Sequence, residues 1–381
     1  MLPYKQSRTL TAYFKELDDW RSRLDAKEPL PAAWAGRLRR DLEAEAVAAS
    51  TIMEGVAVTV DHVRRILAGD QAVPADDKAR QLVVGYGQAM NFAMRRADDP
   101  AFEWSRELIV GLHDRVLAGR GELGAGLLRT GPALVVETVS GKTLFAPAPA
   151  EKLVGLIDQA CDQMTNSTAH PAAKSGWIHI AIAAIHPFKD GNGRISRVLA
   201  SLAMYREGFR RKEFTSLEEW WGAHRSHYYT AFSCLGDSFD PRADVTGFVE
   251  AHVKAQLAQV RGLDLRERVE RRIWIALEDL TEQSGVARRA ANALWDAFFD
   301  RPVSAGYYRA LAEVSPATAT NDLALAAAAG LLRARGRARG RTYEAGPNLF
   351  PNVAHAIGLE GKLEGQELKS AIIEILTSRE T

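Results

Sequence analysis

Helical periodicity dominates this sequence of 381 residues and most constrains what it can fold into. Apolar residues recur three and four positions apart, which is the pattern of amphipathic helices. We predict helices at residues 32–54, 59–68, 75–96, 105–118, 150–166, 172–185, 194–206, 217–232 and 243–261. One segment departs from this pattern: ALVVETVSGKTLFAP, residues 133–147, has two β-like runs around Ser140-Gly141-Lys142 and predicts a hairpin. The expected fold class is therefore mainly α, with a helical core and a small β-hairpin flap.

The C-terminal part has a different order of elements. After residue 285 the sequence predicts a helix, a short strand, two helices and two strands, which is the order of a winged helix-turn-helix. A chain of this length also favours two or three domains. We predict an N-terminal extension (1–30), a helical domain (31–260), a helical linker (261–284), a winged helix-turn-helix (285–345) and a C-terminal tail (346–381).

Composition excludes several classes of protein. The net charge is +1, so no global field attracts nucleic acid or acidic lipid. Cys161 and Cys234 stand far apart and form neither a metal-binding spacing nor a disulfide framework, which is typical of a reducing compartment. The first residues carry no apolar signal segment, and no stretch approaches the length of a membrane span. We therefore expect a cytoplasmic protein with no membrane association.

The stretch HPFKDGNGR, residues 186–194, follows an apolar helix and opens the next one. The N-terminus of a helix presents free backbone N–H groups that bind anions, and glycines let a phosphate approach closely. We predict that His186 acts as a base, that Asp190 binds Mg²⁺, and that Asn192 adds a side-chain donor. The predicted phosphate-binding residues are Gly191, Asn192, Gly193, Arg194 and Arg197. These are the parts needed to transfer a phosphorus-centred group to a hydroxyl.

The same stretch resembles the motif of the Fic (filamentation induced by cAMP) family, H-P-F-x-[DE]-G-N-G-R-x-x-R, and fills all its fixed positions. The resemblance implies an all-helical Fic core that transfers AMP from ATP, with Mg²⁺, to a Ser, Thr or Tyr hydroxyl of a protein. It implies that His186 is the general base and that Asp190 binds the metal. Residues 191–193 would surround the α-phosphate, and Arg194 and Arg197 would hold the β- and γ-phosphates. Both motif glycines are present, which favours nucleotidyl transfer over the phosphoryl transfer of the related Doc-type kinases.

Two further stretches resemble parts of the same family. GKTLFAPAPAEKL looks like the flap and the turn after it, which align a target segment by strand addition. HRSHYY, residues 224–229, looks like the helix near the adenine. Tyr228 and Tyr229 are therefore candidates for nucleotide contact, with plain core packing as the alternative.

ASTIMEG, residues 49–55, resembles the inhibitory motif [ST]-x-x-x-E-[GN] of this family. Ser50 and Glu54 are four residues apart and share one face of a helix, which we place at about 38–55. The resemblance implies that Glu54 pairs with Arg197 and occupies the place of the ATP γ-phosphate. A glutamate in this position could also orient a water for removal of AMP, so de-modification is an alternative activity.

Three questions stay open at this stage. The site contacts phosphates and hardly reads the base, so transfer from another nucleotide such as UTP is one alternative. A nucleotide-sensing DNA-binding regulator is an alternative of another class, because Arg333, Arg335, Arg337, Arg339 and Arg341 alternate along the predicted wing. The helix before the wing is alanine-rich and poor in base-reading side chains, which equally fits a protein partner or an intramolecular contact. Family precedent also makes a homodimer and self-modification plausible.

Overall fold

The computed structural model describes residues 1–27, 32–69, 73–117, 120–136, 141–211, 215, 217–337 and 340–380, apart from the side chains of 32–39. Two features of the predictions, Ser140 in the hairpin turn and Arg339 in the wing, lie outside this description. The chain forms two compact units. The first comprises Met1–Pro29, Arg39–Leu67 and Ala72–Arg261, and the second comprises Leu30–Leu38, Ala68–Gln71 and Gly262–Thr381.

The first unit is built from helices, as the periodicity predicts. Several begin at a residue whose side chain accepts a hydrogen bond from the first turn, such as Ser7 from Leu10 N and Ser105 from Leu108 N. The helices are α1 (Arg8–Asp25), α2 (Ala32–Met53), α3 (Val60–Leu67), α4 (Asp77–Ala97), α5 (Arg106–Val116), α6 (Leu153–Asn166), α7 (Pro171–Ile185), α8 (Asn192–Arg206), α9 (Glu218–Ala223), α10 (Arg225–Ala231) and α11 (Thr246–Gln283), the last of which continues into the second unit.

Helices α7 and α8 form the centre of this unit. Nearly every residue of α7 is buried, so this helix has no polar face and must be surrounded on all sides. It packs against α6 and α8, while α4 and α5 pack against α8. The chain reverses direction between α7 and α8, and this reversal places the HPFKDGNGR stretch at one end of the helix pair.

The predicted flap is a short antiparallel hairpin of β1 (Val135–Val136) and β2 (Thr143–Phe145). Its apolar side chains divide between the core and the surface. Phe145 is buried, whereas Val136 and Leu144 are exposed.

The second unit follows the predicted element order to within a few residues. It contains α12 (Ala291–Phe298), β3 (Val303–Ser304), α13 (Ala305–Ala312), α14 (Pro316–Ala328), β4 (Leu332–Arg335), β5 (Thr342–Ala345), α15 (Leu349–Ala356) and α16 (Gly365–Glu380). The strands form one antiparallel sheet in the order β3-β5-β4. The unit has its own hydrophobic core, which includes Trp274, Trp295 and Tyr308.

The structure corrects the predicted roles of both termini. The segment 1–30 is more than an extension, because α1 buries Leu10, Leu17 and Leu24 completely in the first core. The tail 346–381 contains two helices, and α16 buries Leu368 and Ile372 in the second core. In both helices the apolar residues recur four or seven positions apart, a pattern the sequence shows and the prediction did not use.

Two internal segments also differ from the predictions. The predicted linker 261–284 is the continuation of α11, and its buried Ile273 and Leu277 belong to the second core. The predicted helix 217–232 is two helices, because His224 leaves helical geometry with φ −119° and ψ 45°. Within the described part of the chain, no helix combines the length and the apolar character needed to cross a membrane.

The first unit buries three histidines, His113, His179 and His252, and burial lowers the pKa of each. For His252 the pKa falls to about 3. The Ser175 hydroxyl donates to Ala200 O at 2.9 Å and lies 3.0 Å from His252 Nε2, so it accepts the proton that Nε2 carries. The folded state therefore holds His252 as a neutral ring.

We predict that the substitution His252→Gln flattens the dependence of stability on pH. Below pH 6.5 the unfolded chain binds a proton at His252, whereas the folded chain does not bind it until the pH approaches 3. Stability is therefore lost as pH falls from about 6.5 towards 3. Glutamine keeps an N–H donor and cannot take up this proton. We would measure the free energy of unfolding by denaturant between pH 7 and 4. Its slope against pH should decrease by up to about 1.4 kcal/mol per pH unit in the variant. An unchanged slope in a folded variant would contradict the prediction.

Candidate active site

The reversal between α7 and α8 depends on two residues in left-handed geometry. His186 caps α7 with φ 52° and ψ 58°, and its backbone N–H donates to Ile182 O at 2.9 Å. Gly191 precedes α8 with φ 81°, a conformation that favours glycine. A Cβ added at Gly191 would lie 3.4 Å from the ring of His113, so there is little spare room here.

Asn192 holds this loop from inside. Its Oδ1 accepts from Phe188 N at 3.0 Å, and its Nδ2 donates to Phe188 O at 2.9 Å. The ring of Phe188 is completely buried. Nδ2 carries a second N–H beside the one given to Phe188 O, so donation by the Asn192 side chain to a phosphate stays a prediction. The backbone N–H of Asn192 is a further donor at this position.

His113 is a residue of this site that the sequence analysis missed. Its ring stacks on Phe188 with centroids 3.6 Å apart. Gly126 N donates to Nδ1 at 3.1 Å, so the proton of the neutral ring lies on Nε2, which is 2.9 Å from Asp190 O. Burial lowers the pKa of His113 to about 4 and keeps the ring neutral. Its sequence position inside α5 carries no local signal of this role, because the partners come from distant segments.

The first turn of α8 presents its backbone donors to this loop. The first bond inside the helix runs from Ile195 N to Gly191 O at 2.9 Å, so the N–H groups of residues 192–194 precede the intrahelical ladder. A Cβ at Gly193 would lie 3.2 Å from both Arg197 Nη1 and Glu54 Oε1. The position therefore leaves almost no space for a side chain. Such a helix start is suited to an anion.

The His186 ring is partly buried and is arranged as a base. Its Nδ1 lies 3.3 Å from Ala183 O. A carbonyl oxygen can only accept, so Nδ1 carries the proton and Nε2 carries the lone pair. Burial lowers the pKa of His186, and the positive charge of Arg129 adds to this effect. The ring is consequently neutral near pH 7 and able to accept a proton.

Asp190 provides a carboxylate at the edge of the loop. Its Oδ1 accepts from Gly191 N at 2.6 Å and lies 3.3 Å from Arg194 Nη2. The side chain is 40% exposed, which leaves oxygen atoms open to a ligand. In the described ranges no group of three or more His, Cys, Asp or Glu side chains could hold a metal by itself. One open carboxylate fits Mg²⁺ where substrate phosphates and water complete its shell.

Glu54 lies between the two motif arginines. Its Oε1 accepts from Arg197 Nη2 at 2.8 Å, and its Oε2 lies 3.8 Å from Arg194 Nε. Ser50 Oγ accepts from Arg197 Nε at 3.2 Å and from Nη2 at 2.9 Å. Burial lowers the pKa of Arg197, but Glu54, together with Tyr228 and Tyr86, outweighs this effect and the net pKa is raised. The Arg197 side chain is only 4% exposed, whereas that of Glu54 is 24% exposed, so the pair is buried on its arginine side.

The two tyrosines of HRSHYY lie in different environments. The ring of Tyr228 is buried among aromatic side chains including Trp221, and its hydroxyl is 3.0 Å from His179 Nε2. Tyr228 is therefore a core side chain, which was the alternative to nucleotide contact. The face of its ring is not open to the base of a nucleotide. Tyr229 is 58% exposed, so of the two only this ring is available to a ligand.

Residues 103–204 match the model of the Fic/DOC family. The chain contains a Fic domain. The match spans α5 to most of α8 and includes the whole HPFKDGNGR stretch.

Relatives and solved structures agree with this assignment. The chain is 30% identical over 161 residues to protein adenylyltransferase fic-1 of Caenorhabditis briggsae, covering 41% of this chain and 31% of that protein. It is 27% identical over 161 residues to protein adenylyltransferase Fic of Nematostella vectensis, covering 42% and 37%. The chain thus spans about a third of the length of these curated relatives.

Two solved structures share the fold. A Fic family protein from Desulfovibrio desulfuricans G20 superposes with a TM-score of 0.59 at 21% identity, over 91% of this chain and 98% of that one. Fic-1 (residues 134–508) from C. elegans superposes with a TM-score of 0.55 at 23% identity, over 66% of this chain and 71% of that one. The mainly helical Fic fold is therefore confirmed.

We predict that His186 titrates below the ordinary histidine value of about 6.5, because burial and Arg129 both disfavour its charged form. Two-dimensional NMR of the imidazole carbons across pH 4–8 measures this directly, with assignment by the spectrum of His186→Ala. A midpoint at or above 6.5 would show that the ring is more hydrated than the structure has it.

Proposed function

We propose that this protein transfers AMP from ATP to a Ser, Thr or Tyr hydroxyl of a protein, and that Glu54 inhibits the transfer. The observation that carries the proposal is the contact of Glu54 with both motif arginines, directly beside an N-terminal anion site and a neutral histidine. The curated relatives named protein adenylyltransferase support a transferase of this type. The site residues, their roles and the inhibition are our proposal.

In the proposed reaction, different groups of the loop have different roles. The target hydroxyl gives its proton to Nε2 of His186, and its oxygen attacks the α-phosphorus of ATP. The bond from that phosphorus to the bridging oxygen of the β-phosphate breaks, and pyrophosphate leaves with the electron pair. Backbone N–H groups of residues 192–194 stabilise the charge on the α-phosphate oxygens.

Arg194 and Arg197 are proposed to bind the β- and γ-phosphates, because planar guanidinium groups form paired bonds to phosphate oxygens. Asp190 is the residue that would hold Mg²⁺, which supplies charge neutralisation of the phosphates when bound. The exposed ring of Tyr229 is proposed to contact the nucleotide base, and Tyr228 to support it from the core.

Inhibition follows from charge and space. The carboxylate of Glu54 and the γ-phosphate need the same guanidinium, and one buried guanidinium cannot serve both. Hydrogen bonds to a charged group contribute about 1.5–3 kcal/mol to stability, and we expect the bond from Arg197 to Glu54 to stabilise the inhibited state by about this amount. Ser50 strengthens the arrangement by accepting two bonds from the same arginine.

The flap is proposed to present the target. β1 and β2 form a small sheet, and exposed Leu134, Val136 and Leu144 lie on it or next to it. An extended segment of a protein can add to such a sheet through backbone bonds while its side chains contact these apolar residues. The target is an unidentified protein or a second copy of this chain.

We expect Glu54→Gly to raise AMP transfer strongly, because Arg197 is then free for the triphosphate. The measurement is the incorporation of label from ATP labelled on the α-phosphate, with Mg²⁺, into the protein itself and into lysate proteins. Glu54→Gly/His186→Ala should show no label, since the base is lost.

The matched control is Glu45→Gly, the same change nine residues earlier and inside α2, whereas Glu54 lies one residue past the end of that helix. It should label like the wild type. Equal labelling in the wild type and Glu54→Gly, with ATP binding verified by calorimetry, would contradict the proposal that Glu54 inhibits the transfer. Label from UTP and not ATP would favour another nucleotide, and release of AMP from pre-labelled protein would favour de-modification.

We also propose that residues 285–345 form a winged helix-turn-helix whose partner is a protein and not DNA. Arg333 Nε and Arg335 Nε both donate to Glu344 Oε1, at 2.7 and 2.8 Å, which neutralises part of the wing. The exposed residues of α14 include Ala324 and Leu325, which have no group to read a base edge.

For the wing we expect only weak, salt-sensitive binding of the full chain to a 20-base-pair duplex, in the range of about 10⁻⁴–10⁻⁶ M that is typical of nonspecific contacts. Glu344→Gln should tighten it, because Arg333 and Arg335 lose their shared partner. Fluorescence anisotropy at two salt concentrations measures both. Nanomolar, sequence-dependent binding by the wild type would favour the DNA-binding regulator instead.

A further inference from the structure

Arg129 lies in the segment before β1 and holds the end of the base-bearing helix. Its backbone N–H donates to Pro187 O at 3.0 Å, its Nε to His186 O at 2.7 Å, and its Nη2 to Ile185 O at 3.4 Å. Three consecutive carbonyl groups, that of the last residue of α7 and those of the two residues after it, thus accept from one residue. The first of them, Ile185 O, is one of the groups that a helix end leaves unsatisfied.

The same guanidinium also holds both ends of the flap. Its Nη1 donates to Gly131 O at 2.7 Å, just before β1, and its Nη2 donates to Ala148 O, just after β2. A guanidinium has five donors in a rigid plane, so one side chain can reach four carbonyls in different directions. A lysine ammonium is a point charge with three donors and cannot span this set.

We propose that Arg129 is a positioning residue that fixes the flap at a set distance from His186, so that a target segment on the flap delivers its hydroxyl to the base. This inference rests on the proposed function. Among the described residues, its side chain donates to backbone carbonyls, two on the flap side and two at the end of α7.

The charge of Arg129 has a separate effect that a purely structural side chain would lack. It helps to keep the His186 ring neutral, together with burial. The other charged groups that act on this ring are Asp190 and Glu54, and both favour the protonated form. Removing the charge at position 129 should therefore move the protonation of His186 to higher pH, whereas replacing it with another cation should not.

The test uses the full chain in the Glu54→Gly background, with Arg129→Lys and Arg129→Gln. Both should lower the rate of label transfer from α-labelled ATP by about 10- to 100-fold, the effect of misplacing reacting groups by ~1 Å. The Kd for ATP, measured by calorimetry, should stay within about twofold, because the phosphate-binding groups are untouched. The acid limb of the pH–rate profile should move to higher pH in Arg129→Gln relative to Arg129→Lys.

The matched control is Arg206→Lys. Arg206 also donates to a backbone carbonyl, Ala97 O at 2.9 Å, but it lies at the opposite end of α8. Its variant should transfer label like the parent. Transfer at the parental rate in both Arg129 variants, or an ATP affinity that falls in parallel with the rate, would overturn the inference.

Amide hydrogen exchange tests the role of Arg129 without a measurement of label transfer. In both Arg129 variants the backbone amides at residues 143–146 and those of His186 and Phe188 should lose protection together, while Arg206→Lys leaves them unchanged. Loss at only one of the two segments would show that Arg129 does not join them. If the Glu54→Gly parent transfers no label, the proposed function fails, and the exchange result still stands for or against the coupling.

Discussion

The burial of α7 on all sides is the constraint on which the rest of the structure depends. A helix without a polar face has to be enclosed, and its last carbonyl groups then need donors from the protein. Arg129 donates to the last of them, Ile185 O, and to His186 O just beyond the helix, and the chain turns back through His186 and Gly191 into α8. The negative end of one helix and the positive end of the next therefore lie side by side. The base that we propose, His186, lies at the first end, and the proposed anion site lies at the second.

The same enclosure explains why the motif arginines need an anionic partner. Arg194 and Arg197 extend from a buried helix and are almost completely buried themselves. An unpaired buried charge is strongly unfavourable, so these cations require a counter-ion whether or not a nucleotide is bound. Glu54 supplies it from α2, and Ser50 completes the hydrogen bonds. In the inhibition that we propose, the Glu54 carboxylate and a triphosphate compete to be this counter-ion, and a full switch between the two takes roughly 5.5 kcal/mol of differential binding.

Local sequence patterns predicted most of the helices, the β-hairpin and the order of elements along the second unit, because period and turn residues are visible along the chain. They failed where a feature depends on what an element packs against. The stripe Leu10-Leu17-Leu24 was visible, yet only its burial in the first core shows that α1 belongs there. Arginines alternate along the predicted wing, yet the cross-strand partner Glu344 decides how much charge Arg333 and Arg335 present.

At the active site the division is similar. By itself the sequence determined which chemical groups are present: a histidine, a carboxylate, two glycines and two arginines at fixed spacing, and a glutamate four residues after a serine. Only the tertiary structure decided what each group can do, because that depends on contacts between distant segments. It uses the Asn192 amide inside the loop, buries Tyr228, and brings His113 and Arg129 against backbone carbonyls of the motif. Every residue has a backbone carbonyl, so residue types do not indicate which side chain will donate to it. These partners can be identified only from the folded structure.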